Sequence, residues 1–165
     1  MKNTPESDYT LRRELTVPRP LTEVFDFFSR AENLEKLTPA WLNFRIDTQL
    51  PIEMREGALI HYQLRVRGVP LRWITQIEAW DPPFAFVDVQ MKGPYEIWHH
   101  THLFRETPQG TQIEDIVRYT LPFGPIGRLA HWAQVSADLK KIFDYRQKRV
   151  LELIQQTTGA PVHRA

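Results

Sequence analysis

Cysteine is absent from the 165 residues. Its absence excludes disulfides, thiol nucleophiles, iron–sulfur clusters and zinc sites built on thiolates. It fits a reducing compartment, and a cytoplasmic location is the expectation. Neither sign of charge prevails: 21 Lys and Arg face 20 Asp and Glu, for a net charge of +1. Acidic and basic residues interleave, so the basic stripe that nucleic acid requires is missing. No apolar run reaches the roughly 18–20 residues of a membrane span. The stretch from Met1 to Asp8 is polar and has no signal-peptide core. Internal repeats, low-complexity tracts and linkers are also lacking. A hydrophobic fraction of 42% and a charged fraction of 25% are ordinary for a globular chain. The length suits one domain with a real core. That domain is expected over residues 8–157, with 1–7 and 158–165 as flexible tails.

What is present is organised by period. Tyr9 to Val17 alternates apolar with polar, which predicts a strand. Pro18-Arg19-Pro20 ends it, and Leu21, Val24, Phe25 and Phe28 then recur at helical spacing. Ala31 to Leu37 reads as a second short helix, stopped by Thr38-Pro39. From there to Leu121 the pattern is β. Candidate strands are Leu42–Thr48, Gly57–Arg67, Leu71–Trp80, Phe84–Met91 and the two halves of a hairpin, Tyr95–Phe104 and Gly110–Leu121. Gly68-Val69-Pro70, Asp81-Pro82-Pro83 and Lys92-Gly93-Pro94 supply the turns. Short strands joined by tight turns predict an antiparallel meander.

From about Arg128 to Gln156 a long amphipathic helix is predicted. Leu129, Trp132, Ala133, Ser136, Leu139, Phe143, Val150 and Ile154 recur at its three- and four-residue spacing. Lys140, Lys141, Arg146, Lys148 and Arg149 read as its solvated face. The expected class is therefore α+β. A curved antiparallel sheet of about seven strands wraps around a long C-terminal helix, with two short helices between the first two strands. A sheet curled around one helix leaves a cavity that side chains do not fill.

Ordered strings along the chain resemble one superfamily. They are Val17-Pro18-Arg19-Pro20 through Phe25-Asp26-Phe27-Phe28, and Asn33-Leu34-Glu35-Lys36-Leu37-Thr38-Pro39. Gly93-Pro94-Tyr95 with Trp98-His99-His100-Thr101-His102 follows. Then come Gly110-Thr111 with Asp115-Ile116-Val117-Arg118-Tyr119, and Leu121-Pro122-Phe123-Gly124-Pro125-Ile126-Gly127. The set resembles the START, polyketide cyclase/dehydrase and lipid-transport (SRPBCC) superfamily, in a bacterial branch of unassigned function. The resemblance implies a helix-grip fold with a hydrophobic ligand cavity under the last helix. It implies no particular reaction, because carriers, allergens, sensors, cyclases and oxygenase subunits share that fold. The oxygenase branch is disfavoured, since no Rieske cysteines or mononuclear-iron motif are present.

The hairpin carries the chemistry. Period two puts Trp98, His100, His102 and Phe104 on one face, and Ile113, Asp115, Val117, Tyr119 and Leu121 on one face. A buried face rarely holds two imidazoles, a carboxylate and a phenol without a reason. If His102 pairs with Asp115, Trp98 falls opposite Tyr119. Three readings of His100 and His102 stand. They form a satisfied polar layer, they recognise a ligand, or they bind a metal with Asp115 as third ligand. The reading adopted has no metal and no cofactor.

Ligand-binding candidates are Tyr62, Trp73, Gln90, Trp98, His100, His102, Asp115, Tyr119, Trp132 and Phe143. Asp88 and Gln90 share a strand face whose direction the alternation leaves open. The expected function is binding a small hydrophobic molecule (lipid, isoprenoid or polyketide-like) as a carrier or sensor. The alternative is a cyclase or dehydratase using His100, His102, Asp115 and Tyr119 as its catalytic set. The expected partner is that small molecule. Nucleic acid and integral membrane association are not expected, a transient membrane contact is left open, and the state is monomer or homodimer.

Overall fold

The computed structural model describes residues 6–130 and 134–156. Most of the tails at 1–7 and 158–165, and Trp132 and Ala133 of the helical stripe, lie outside the described residues. Strand β1 is Tyr9–Val17 and alternates half-buried with exposed residues along its length. Helix α1, Leu21–Phe28, follows Pro20, whose fixed φ of −60° leads the chain into the first turn. It buries Leu21, Val24, Phe25 and Phe28 on one face, the four residues at helical spacing. Helix α2, Asn33–Leu37, ends at Thr38, which is extended ahead of Pro39.

The remaining strands are β2 (Arg45–Ile46), β3 (Leu59–Val66), β4 (Val69–Asp81), β5 (Ala85–Lys92), β6 (Ile97–Thr107) and β7 (Gly110–Thr120). Their order in the sheet is β1-β7-β6-β5-β4-β3-β2, and every pairing is antiparallel. The meander thus closes back on the first strand. Helix α3 is Gly124–Ala130 and helix α4 is Ser136–Gln156. Gly124 opens α3 at φ +49°, in the left-handed region that glycine enters without strain. The architecture is a helix-grip α+β fold.

Two expectations need correction. The strand over Leu42–Thr48 shrinks to Arg45–Ile46, because Ala40–Leu42 forms a short helical turn ended by Asn43 at φ +45°. The long helix also does not start at about Arg128. Helical structure begins at Gly124, residues 134–135 take wider π-type geometry, and α4 proper begins at Ser136. Leu129 and Ser136, placed on the buried stripe by spacing, are exposed.

The interior has two ends. At one, α1 and the end of α4 pack Val24, Phe25, Val150 and Ile154 against Phe104 and Ile113. Phe104 lies 5.3 Å, ring centre to ring centre, from both Phe25 and Phe28. At the other end aromatic rings line the wall without filling the middle: Tyr62, Trp73, Tyr95 and Trp98. Register shifts in the β4–β5 pairing at Ile74/Thr75 and Ile77/Ala79 help bend the sheet there. The second shift also swaps facing. Trp73, Thr75 and Ile77 are buried, and beyond the bulge Trp80 packs against Phe25 and Phe86.

Candidate functional site

The cavity between sheet and α4 encloses about 200 Å³. Its wall is apolar and aromatic for most of its extent. Polar groups collect in one place, where β5, β6 and β7 face the middle of α4. Register explains the gathering. On β5, Phe86 stands opposite His102 and Asp88 opposite His100. On β7, Asp115 stands opposite His102 and Val117 opposite His100. Residues directly opposite share a face, so Asp88 and Asp115 flank the two histidines from the two neighbouring strands.

The carboxylates bond along the diagonals of this grid. His100 Nε2 lies 2.9 Å from Asp115 Oδ1, and His102 Nε2 lies 2.8 Å from Asp88 Oδ2. Two further approaches cross them. His102 Nδ1 is 2.9 Å from Asp115 Oδ1, and His100 Nδ1 is 3.6 Å from Asp88 Oδ2. The His102 Nδ1 approach is close but off the line of a hydrogen bond, and that nitrogen is buried without one. The two imidazoles lie with centres 3.8 Å apart, tilted by 35°, and Phe86 stacks on His102 at 4.0 Å. Phe143 of α4 sets its edge toward His100 at 5.6 Å. Every ring is therefore held on at least one face.

The electrostatics follow from this packing. Burial pushes the His100 pKa down, and the neighbouring His102 adds to it. Burial also opposes the His102 cation, but the Asp115 and Asp88 carboxylates outweigh it and raise its pKa. Burial would raise Asp88, yet His100 and His102 hold it below its ordinary value. Asp115 is held well below, against burial, by Arg146 first and then by the two histidines. With His102 protonated and His100 neutral, the set sums to zero: two carboxylates against His102 and Arg146. Burial pushes the Tyr62 phenol up, so it stays protonated, and its hydroxyl lies 3.0 Å from Thr75 Oγ1.

Arg146 corrects the reading of α4. Charge alone places it on the solvated face, and Lys140, Lys141 and Lys148 are indeed exposed there. Arg146 instead lines the cavity, its guanidinium carbon 5.7 Å from the Phe28 ring centre. Its Nε is buried and has no hydrogen-bond partner among the described residues. Leu139, Phe143, Arg146 and Val150 follow one another at four, three and four residues, so Arg146 sits on the inner line of the helix.

Of the ten candidate residues, Tyr62, Trp73, Trp98, His100, His102 and Phe143 line the cavity. Asp115 stands behind the histidines and is buried. Gln90 is turned aside as a clamp: its Nε2 donates to the Tyr95 carbonyl at 2.6 Å, and its Oε1 accepts from the Tyr95 N–H at 3.3 Å. Tyr119 packs in the neighbouring aromatic cluster with Tyr9, Tyr95 and Trp98. Trp132 lies outside the described residues. Sequence reasoning leaves Arg146 out of the polar corner and leaves the facing of Asp88 open. The signal for Asp88 is its even-numbered place beside Phe86, and for Arg146 its spacing from Phe143.

No family model matches the chain, and no curated protein does. Solved structures do. TTHA0849 from Thermus thermophilus superposes with a TM-score of 0.61 at 21% identity, over 88% of this chain and 99% of that one. Ara h 8.0201 superposes with a TM-score of 0.58 at 18% identity, over 87% and 98%. A nucleoside-diphosphate sugar epimerase from Corynebacterium glutamicum gives a TM-score of 0.68 at 25% identity. There the match covers 88% of this chain but 29% of the epimerase chain. At such identities TTHA0849 and Ara h 8.0201 establish a shared fold and no activity.

Proposed function

We propose that the protein binds a small hydrophobic molecule with one polar group, as a carrier or sensor. One observation carries the reading: a largely apolar cavity has Asp88, His100, His102 and Arg146 together in its wall. The volume restricts the ligand. An engineered apolar cavity of roughly 150 Å³ holds benzene, and this one encloses about 200 Å³. One substituted ring or a short branched chain fits. A long acyl chain would have to reach out through the mouth. Arg146 and the Tyr62 hydroxyl favour a ligand whose polar end accepts hydrogen bonds, a carboxylate or carbonyl.

The test is ligand-observed NMR saturation transfer with para-alkyl benzoates of increasing length, beside native mass spectrometry of the purified protein. Short members should bind and compete for one site, and Arg146→Met should weaken them. Absence of transfer to every member would overturn the proposal.

A second reading, an acid–base enzyme of the cyclase or dehydratase type, is favoured by the pair Asp115 and His100. The neutral imidazole donates from Nε2 to Asp115, which leaves Nδ1 as an unprotonated base. This reading keeps His100, His102 and Asp115 in its catalytic set and gives Tyr119 no role, since that phenol is not in the cavity wall. It predicts that His100→Gln abolishes turnover while benzoate binding survives.

A further inference from the structure

We propose that Asp88, His100 and His102 bind one divalent cation of the zinc class at the polar corner of the cavity. The donor set is two imidazole nitrogens and one carboxylate oxygen, the chemistry of catalytic zinc and related ions. The three donor atoms lie within 4.8 Å of one another. Asp88 Oδ2 is 2.8 Å from His102 Nε2 and 3.6 Å from His100 Nδ1. Ligands at about 2.0–2.2 Å from a tetrahedral ion stand roughly 3.3–3.6 Å apart. The first distance is about half an ångström short of that spacing and the second lies at its upper edge, so His102 and Asp88 must move apart to admit the ion.

The surroundings match as well. A metal-bound histidine gives its other ring nitrogen to a carboxylate or carbonyl, which fixes ring and tautomer. Here Asp115 Oδ1 lies 2.9 Å from His100 Nε2 and 2.9 Å from His102 Nδ1. Those are the two nitrogens the cation would not use. Asp115 thus fixes the His100 ring by its hydrogen bond and stands beside the His102 nitrogen that the cation would leave free. All four residues project from paired strands, which hold positions better than loops. The site corrects the ligand set considered from sequence, because Asp115 is the outer residue and Asp88 the ligand.

Charge then says what completes the coordination. Two carboxylates, Arg146 and a dication leave one positive charge. One anion beside Arg146 balances it, either a hydroxide or the carboxylate of a molecule in the cavity. The competing arrangement has no cation and keeps an extra proton on His102.

The test uses the full chain, treated with chelator and dialysed, with no hydrophobic ligand added. Zn2+ is titrated by calorimetry and Co2+ by visible absorption. Imidazole 15N shifts in histidine-selective NMR spectra report which nitrogens respond. One cation per chain should bind, with four- or five-coordinate cobalt absorption and shifts at His100 Nδ1 and His102 Nε2. Asp115→Asn should weaken binding ten- to a hundred-fold, and Asp88→Asn by more. His61→Ala, at an exposed histidine outside the site, should leave it unchanged. Absence of wild-type binding, or shifts confined to other histidines, overturns the proposal without any variant having to fold. Benzoate binding by cation-free protein is read separately, so failure here leaves the ligand-binding proposal standing.

Discussion

Replacing Asp115 by alanine, in cation-free protein, separates a charged buried network from a neutral polar layer. The carboxylate accepts from His100 Nε2 at 2.9 Å and faces His102 Nδ1 at 2.9 Å. It is buried, and Arg146 is the largest influence stabilising its charge. A charge-assisted hydrogen bond contributes about 1.5–3 kcal/mol. Removing one partner of a buried pair costs about 3–5 kcal/mol, because the other charge is left uncompensated. Asp88 still holds His102 at 2.8 Å, so the lower part of that range applies, about 3–4 kcal/mol. For a chain of this size each kcal/mol lowers Tm by about 2–4 °C, so the variant should melt roughly 6–16 °C below wild type.

Equilibrium urea unfolding, followed by the fluorescence of nearby Trp73 and Trp98, measures the loss. Asp115→Asn, which keeps an acceptor, should lose less. Asp26→Ala breaks the exposed Arg30 pair at 2.7 Å and should cost under about 1 kcal/mol. The sign with pH is also determined. Asp115 has a folded pKa below the unfolded 3.8. Its stabilisation is complete above the unfolded value and is lost as pH falls through the lowered folded value. The gap between wild type and Asp115→Ala should therefore close in acid, and it should also narrow as pH rises through the raised His102 value, because Asp115 helps hold that proton. A loss at neutral pH no larger than that of Asp26→Ala would refute the charged network.

Cation-free wild type should be most stable near pH 6.5, because its two buried histidines act in opposite directions. His102 is raised above 6.5, so its stabilisation is complete below that pH and is lost as pH rises through the folded value. His100 is lowered, so stability is lost as pH falls from 6.5 through its folded value. Urea midpoints on both sides of the maximum check this, and His102→Gln should remove the alkaline slope and shallow the acid one, since His102 also lowers His100. Gly110→Ala should destabilise by about 2 kcal/mol or more, read from the same midpoints. The added Cβ would stand 2.1 Å from the Val17 carbonyl, at φ +122°. Phe143→Ala should cost about 3–5 kcal/mol and enlarge the cavity, so saturation transfer should extend to longer para-alkyl benzoates.

The fold was legible because strand alternation and helix spacing are local, and each element could be read without its neighbours. What was not local was harder to read. Phe86, Asp88 and Gln90 alternate with Val87, Val89 and Met91, and both sets mix apolar with polar, so β5 does not announce its inner face. Its register against β6 does, by placing Phe86 opposite His102 and Asp88 opposite His100. Trp80 shows the same dependence on partners, since a bulge in the β4–β5 pairing reverses the facing after Ile77. The strand over Leu42–Thr48 failed differently: its residues suit a strand, but a left-handed Asn43 breaks the run.

Arg146 was misplaced because its charge argued for solvent while its spacing argued for the interior. Spacing prevailed, because Phe28 lies where the guanidinium can rest on a ring face. Asp88 and Arg146 change what the polar corner is. His100 and Asp115 alone would be a hydrogen-bonded pair within the wall, which needs no ligand. Asp88 adds a second carboxylate on the cavity side, and Arg146 adds a cation whose Nε has no partner among the described residues. A purely structural layer would have no reason to keep a buried donor unsatisfied, since that costs about 1–3 kcal/mol. Asp88 and Arg146 both line the cavity, and a carboxylate and a guanidinium on an otherwise largely apolar wall separate a wall that is merely satisfied from one built to receive something.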